Sequence, residues 1–295
     1  MKIKRKKLGK CFFLVAVCLL LGAMPVMAAD TLPYPTYTIN ADWTEAPSPA
    51  VYVPYKDVYA SDVGLEAWEQ AVDMEVYGSE IFILEAKQGI VVVLDDRFQL
   101  VRTIGPVVID GEESPMNAPQ GLTISPDGEL YIADSGNARI LRLTREGEVL
   151  AVYNKPVIEV LGDDYTYKPL KIGVDSAKRI YVIAEGINRG LLELNASGEF
   201  SSFLGAPRVT YDMFTLIWKR LMTREMAKNM VQFVPTEFSN LRIDSEGFIF
   251  TTIKAFDQDK LNDALNWTRD FSNVKLVQKF NASSTDVLRR YGDIP

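Results

Sequence analysis

The chain has 295 residues, 32 of them basic and 39 acidic, and it contains no histidine. Without an imidazole there is no Ser-His-Asp or Cys-His nucleophilic system, no histidine zinc site and no ordinary general base near neutral pH. Both cysteines, Cys11 and Cys18, sit in an apolar N-terminal stretch, so the rest of the chain has no disulfide and no thiolate metal site.

The first ten residues carry Lys2, Lys4, Arg5, Lys6, Lys7 and Lys10 with no acid, and an apolar run from Cys11 to Ala28 follows. A basic head, an apolar middle and a small-residue exit describe a secretory signal peptide over 1–28, cleaved between Ala28 and Ala29. The alternative is an uncleaved anchor, because the run of 18 residues is about the minimum for a membrane span. Cleavage leaves 26 basic against 39 acidic residues, a balance of −13. An acidic surface of that size speaks against nucleic acid or anionic membrane as a partner. The expected location is outside the cell or on the cell envelope.

Residues 29–64 are rich in Pro and Tyr and read as an extended lead-in partly packed on the next segment, or as a surface tether. A four-strand pattern then repeats. The first copy, 65–105, holds alternating apolar runs at Ala71–Val76, Glu80–Leu84, Ile90–Leu94 and Leu100–Ile104. The second, 117–155, is the clearest, with Pro126-Asp127-Gly128 and Asp134-Ser135-Gly136-Asn137 as turns between strands. Further copies cover 167–205 and 237–292, the last closing on Val274–Phe280 and Asp286–Gly292. An aromatic in the second strand registers all four: Phe82, Tyr131, Tyr181 and Phe250, spaced by 49, 50 and 69. Four strands per unit at this period predict an all-β chain of four-stranded antiparallel propeller blades.

The longer last spacing marks a helical insertion over 208–234. In Tyr211–Val231 the apolar Met213, Phe214, Ile217, Trp218, Leu221 and Met222 share one face, and Lys219, Arg220, Arg224 and Lys228 fill the rest. Such a helix packs onto its own domain, grips a partner or lies on a membrane. A second insertion after Ile253 places Leu261, Ala264, Leu265 and Trp267 at helical spacing. Loops on a rigid frame are where binding residues concentrate. The turns between second and third strands therefore become candidates, with Asp134, Asn137, Arg139, Glu185, Asn188 and Arg189 joined by Trp218 and Trp267 from the insertions. The oxygen donors Asp134, Asn137, Glu185 and Asn188 suit calcium or sugar hydroxyls. The same residue types are also favoured in tight turns for purely structural reasons.

The segment from Pro119 through Asp134-Ser-Gly-Asn-Ala-Arg-Ile140 resembles an NHL repeat. From about residue 65 to 295 the chain is similar to the bacterial exported NHL-repeat proteins labelled gluconolactonase-like, of the six-bladed TolB-like group. That resemblance implies a ring of six blades, so four blades predict a truncated ring, with closure at four or completion by another chain as the alternatives. It also implies lactone hydrolysis by a divalent cation held by Glu, Asn and Asp at the channel mouth. The family's ligand set does not match this sequence residue by residue. The leading expectation is a binding scaffold for a protein or carbohydrate at the channel mouth, without assigned catalysis. A metal-dependent sugar lactone hydrolase and a fragment without function are the alternatives. No cofactor is certain, calcium being the one to test.

Overall fold

The computed structural model describes residues 37–40, 44–48, 52, 54–187, 189–205, 238–253, 258–263 and 275–289. The chain divides into two compact units at Asp57/Val58. In the first, strands β1 (Tyr37–Ile39) and β2 (Glu45–Pro47) form a short antiparallel hairpin. The expected cleavage site at Ala28 and Ala29 lies outside the described residues, as do Asn188, Trp218, Trp267 and the insertion at 208–234.

The second unit holds the blades. Blade one comprises β3 (Ala71–Tyr77), β4 (Glu80–Glu85), β5 (Ile90–Leu94) and β6 (Leu100–Ile104). A hairpin follows, β7 (Val107–Ile109) and β8 (Glu112–Ser114), which the repeat pattern did not foresee although Asp110-Gly111 marks its turn. Blade two is β9 (Gly121–Ile124), β10 (Leu130–Asp134), β11 (Arg139–Leu143) and β12 (Val149–Tyr153). Blade three is β13 (Lys168–Val174), β14 (Ile180–Glu185), β15 (Leu191–Leu194) and β16 (Phe200–Leu204). Each of these sheets is antiparallel in sequence order.

Blade four departs from the four-strand expectation. Among the described residues it has three strands, β17 (Phe238–Ile243), β18 (Ile249–Ile253) and β19 (Val277–Phe280). The predicted fourth strand is described only as far as residue 289: Asp286 bridges Phe280, and the Val287 amide donates to the Lys279 carbonyl at 2.7 Å. The Asp286 carboxylate takes the Lys279 and Leu288 amides at 3.2 Å each, so a side chain stands where a strand ladder would continue. A short helix, α1 (Gln258–Asp263), lies in the insertion after β18.

One turn chemistry serves blade after blade. Its first residue is Asp95, Ser125, Thr144, Asp175, Asn195, Asp244 or Asn281, and its oxygen accepts the backbone amide four residues on, at 2.8–3.1 Å. The fourth residue has a positive φ in every case, from Ser284 at 59° to Gly147 at 100°. Short polar side chains that fold back on the backbone, followed by a left-handed residue, are what a tight hairpin needs.

The first strands β3, β9, β13 and β17 pack side by side in that order. Between successive sheets lie three apolar layers, and in blades one to three the registering aromatic faces the next blade. Phe82 packs with Leu130 and Ile132, Tyr131 with Ile180 and Val182, and Tyr181 with Phe238 and Ile249. Phe82, Tyr131 and Tyr181 are all but sealed from water, each contributing about 1.5–3 kcal/mol by burial. The face of blade one turned away from blade two is covered by Val58, Val63, Leu65 and Trp68, with the Trp68 indole donating to the Val58 carbonyl at 3.1 Å. Units stacked in a line would keep blade one from blades three and four. Here Lys171 of blade three pairs with Asp73 of blade one at 2.9 Å, and Arg242 of blade four pairs with Glu75 of blade one. The blades fan around a common axis, and the fold is a β-propeller.

Charged clamps bind neighbouring blades at their rims. Glu80 pairs with Arg102 of its own blade and with Arg145 of blade two at 3.3 Å. Glu129 receives Arg142 through two nitrogens at 2.7 and 2.9 Å, and Lys178 of blade three at 3.2 Å. The hydrogen bond from Arg102 holds the Glu80 carboxyl below its ordinary 4.5, and that from Arg142 does the same for Glu129. A lowered folded value means the stabilisation is present above the unfolded value of 4.5 and lost as pH falls through the folded ones. Denaturant unfolding between pH 5 and pH 2.5 should therefore show a shallower acid loss in a Glu80→Gln, Glu129→Gln double variant. An identical slope in the variant and the parent refutes the assignment.

Candidate functional site

An axial cavity of about 530 Å³ opens among the four first strands. Its lining runs along the second halves of these strands into the turns that follow them, at Ser125-Pro126, Asp175-Ser176 and Asp244-Ser245. Strand periodicity turns alternate side chains toward it. From β3 come Asp73 and Glu75, from β13 Lys171, and from β17 Asn240 and Arg242. The Asp73 carboxylate takes the Lys171 ammonium at 2.9 Å, the Leu122 amide at 3.1 Å and the Met74 amide at 3.0 Å. Lys171 also donates to the Val72 carbonyl at 3.1 Å. Glu75 is 8% exposed and meets one nitrogen of Arg242, whose side chain is 65% exposed. Asp175 is held by Arg179 at 2.7 Å and by the Tyr181 hydroxyl at 3.3 Å. Burial, followed by the Asp175 charge, keeps the Tyr181 phenol well above its ordinary range, so it serves here as a donor.

The turns singled out from sequence sit elsewhere. Asp134, at 0% exposure, accepts from the Asn117 amide at 2.8 Å, Asn137 Nδ2 at 2.8 Å and Arg139 Nε at 2.7 Å. Arg139 goes on to Ser114 Oγ at 2.9 Å, and Asn137 to the Pro115 carbonyl at 3.0 Å. Ser135 Oγ donates to the Pro169 carbonyl at the start of blade three. The turn thus locks the entry of its own blade to the entry of the next, at the end of the first strands away from the cavity turns. Asp134, Asn137 and Arg139 are brought together, with the Asp134 carboxylate engaged by three donors of the chain itself. Glu185 stands apart, 59% exposed and paired with Lys168 at 3.3 Å, and Arg189 is exposed. None of these lines the cavity.

A cation at this turn would compete with three donors already on Asp134, and among the described residues no group of three or more Asp, Glu, His or Cys could hold a metal ion. The physical reason is the one weighed against the ligand reading: Asp and Asn in tight turns satisfy backbone groups first.

The family of NHL repeats matches residues 116–143. Blade two carries an NHL repeat. Solved structures are similar to the chain at low identity. Virginiamycin B lyase from Staphylococcus aureus, solved with quinupristin, is 12% identical with a TM-score of 0.40, over 74% of this chain and 55% of that one. A protein of unknown function from Bacteroides caccae is 12% identical at a TM-score of 0.43, over 77% and 62%. A glutaminyl cyclase from Myxococcus xanthus is 15% identical at 0.38, over 61% and 66%. The chain spans little more than half of the lyase. No curated protein matches the sequence.

The NHL blade contributes to both regions. Its first strand gives Leu122, Thr123 and Ile124 to the cavity wall, and its 134–139 turn makes the inter-blade lock. Sequence reasoning quoted the strands that carry Asp73, Glu75, Lys171 and Arg242 without singling out those residues. The available signal was a charge in the middle of a predicted first strand, where an apolar residue would be expected if the strand were walled in on both faces.

Proposed function

We propose that this chain is an exported binding module whose propeller holds a protein or carbohydrate ligand at its axial cavity. The observation that carries this is the cavity itself: about 530 Å³, within the range of small-ligand sites, on a frame of packed sheets. Its lining mixes charged side chains with apolar and aromatic ones, the composition that fixes a ligand's orientation while burying its surface. Filling the cavity tests the reading. Thr123→Trp projects an indole from β9, and titration calorimetry against panels of oligosaccharides and short peptides should find saturable ligands for the parent that the variant loses. Ligands retained by the variant at unchanged affinity place binding elsewhere and sink the cavity assignment.

Export is supported by the basic, apolar and small-residue succession of residues 1–28. The full chain expressed in a bacterial host should be released as a species whose intact mass begins at Ala29. A membrane-retained product that keeps residues 1–28 overturns it.

A further inference from the structure

We infer that the axial cavity takes a ligand with a primary ammonium group on a short apolar body, and that Arg242 is an internal stand-in for that group. The inference rests on the binding reading above and narrows it to one ligand chemistry. Glu75 is more than nine-tenths buried, yet among the described residues its two carboxylate oxygens share a single donor nitrogen, Arg242 NH1. A carboxylate offers about four acceptor positions, so among the described residues part of its capacity is unused. A buried charge is stable only with a counter-ion and hydrogen bonds, which sets the sign of what belongs there. Arg242 supplies the charge from a poorly anchored position: its side chain is 65% exposed, and among the described residues Glu75 is its one hydrogen-bonding partner. By contrast Lys171, 17% exposed, is tied to both Asp73 and the Val72 carbonyl. One cation of the cavity is thus fixed and the other is free to leave.

The remaining walls suit the ligand's body. Tyr77, two residues on from Glu75 in β3, and Phe250, opposite Arg242 in the register of β17 and β18, line the same space. An ammonium near Phe250 gains from the ring face, and blade four already shows this chemistry in Lys279, which sits 5.0 Å from the Phe250 centroid and 3.9 Å from that of Phe248. Three ammonium donors answer Glu75 more fully than one guanidinium nitrogen does. A ligand must first displace Arg242, so the apparent affinity of the parent is reduced by the fraction of time the stand-in is home.

Benzylammonium chloride, titrated calorimetrically into the full chain, tests the proposal, with benzyl alcohol and benzoate as neutral and anionic counterparts. Saturable binding of benzylammonium alone is expected, tightened by about tenfold in Arg242→Ala and weakened roughly ten- to hundredfold in Glu75→Gln. Because the second variant removes a buried charge, Phe250→Ala provides an independent check. It keeps the carboxylate and should weaken benzylammonium more than methylammonium. Equal affinity in Arg242→Ala and the parent overturns the proposal, as does benzoate binding as well as benzylammonium, or calcium displacing it. If sugars or peptides bind in a manner lost in Thr123→Trp while benzylammonium does not, the binding reading stands and this one falls.

Discussion

Asp134→Ala is expected to cost about 3–5 kcal/mol, the penalty for breaking a buried ion pair from one side, and to lower Tm by roughly 10 °C in a domain of this size. The carboxylate is fully buried and, among the described residues, is the one anion paired with Arg139, itself 12% exposed. Removing it strands the guanidinium, one nitrogen of which already lacks a partner among the described residues, and frees the Asn117 amide and the Asn137 side chain. The group also joins blade two to the hairpin strand β8 through Ser114 and to blade three through Ser135 and Pro169, so the damage spreads beyond one turn. Arg139→Met in the same background should recover part of the loss, because no unpaired charge then remains. Thermal unfolding of the single and double variants is the measurement. A loss under about 1 kcal/mol, the typical effect of an ordinary substitution, would contradict the structural role given to this turn.

Gly121→Ala should destabilise by about 2–3 kcal/mol, at the upper end of what overpacking usually costs. A Cβ there would meet the Leu170 carbonyl oxygen at 2.4 Å and Lys171 Cα at 3.0 Å. Both are backbone atoms of β13, and neither can rotate away. The methyl group must therefore part the first strands of blades two and three, the spacing on which the cavity depends. Gly64 is the control: it closes the turn Ala60–Val63 with φ 72° and has nothing within 4 Å of an added Cβ. Gly64→Asn suits that left-handed backbone and should change stability by less than about 0.5 kcal/mol. Chemical denaturation of both variants decides between close approach and backbone conformation as the glycine's purpose. Equal small losses would show that blades two and three tolerate separation.

The blades were legible because each strand carries its own instruction. Alternation at Leu130–Asp134 and its relatives, with Asp, Asn or Ser opening the turns, needs only near neighbours in the chain. The registering aromatics were legible too, since Phe82, Tyr131, Tyr181 and Phe250 hold one position in the second strand of each repeat. What could not be read locally was which charged strand residues meet. Glu75 and Arg242 are 167 positions apart, and their pairing follows from the arc of the blades. The turn at Asp134 was found for the right residue types, but donor and acceptor groups of the chain itself answer them. In blade four the local signal for a last strand at Asp286 was sound, and a side-chain carboxylate took the amides that a ladder would use.

The rim clamps have a consequence for assembly. In blade two the pair is Glu129 on the approach to the second strand and Arg142 on the third; in blade three the signs are exchanged, with Arg179 and Glu193. Repeats this alike in outline can dock in the wrong sequence while the chain collapses. A misordered neighbour would set like charges against each other at the rim, so the exchange tells blade two from blade three.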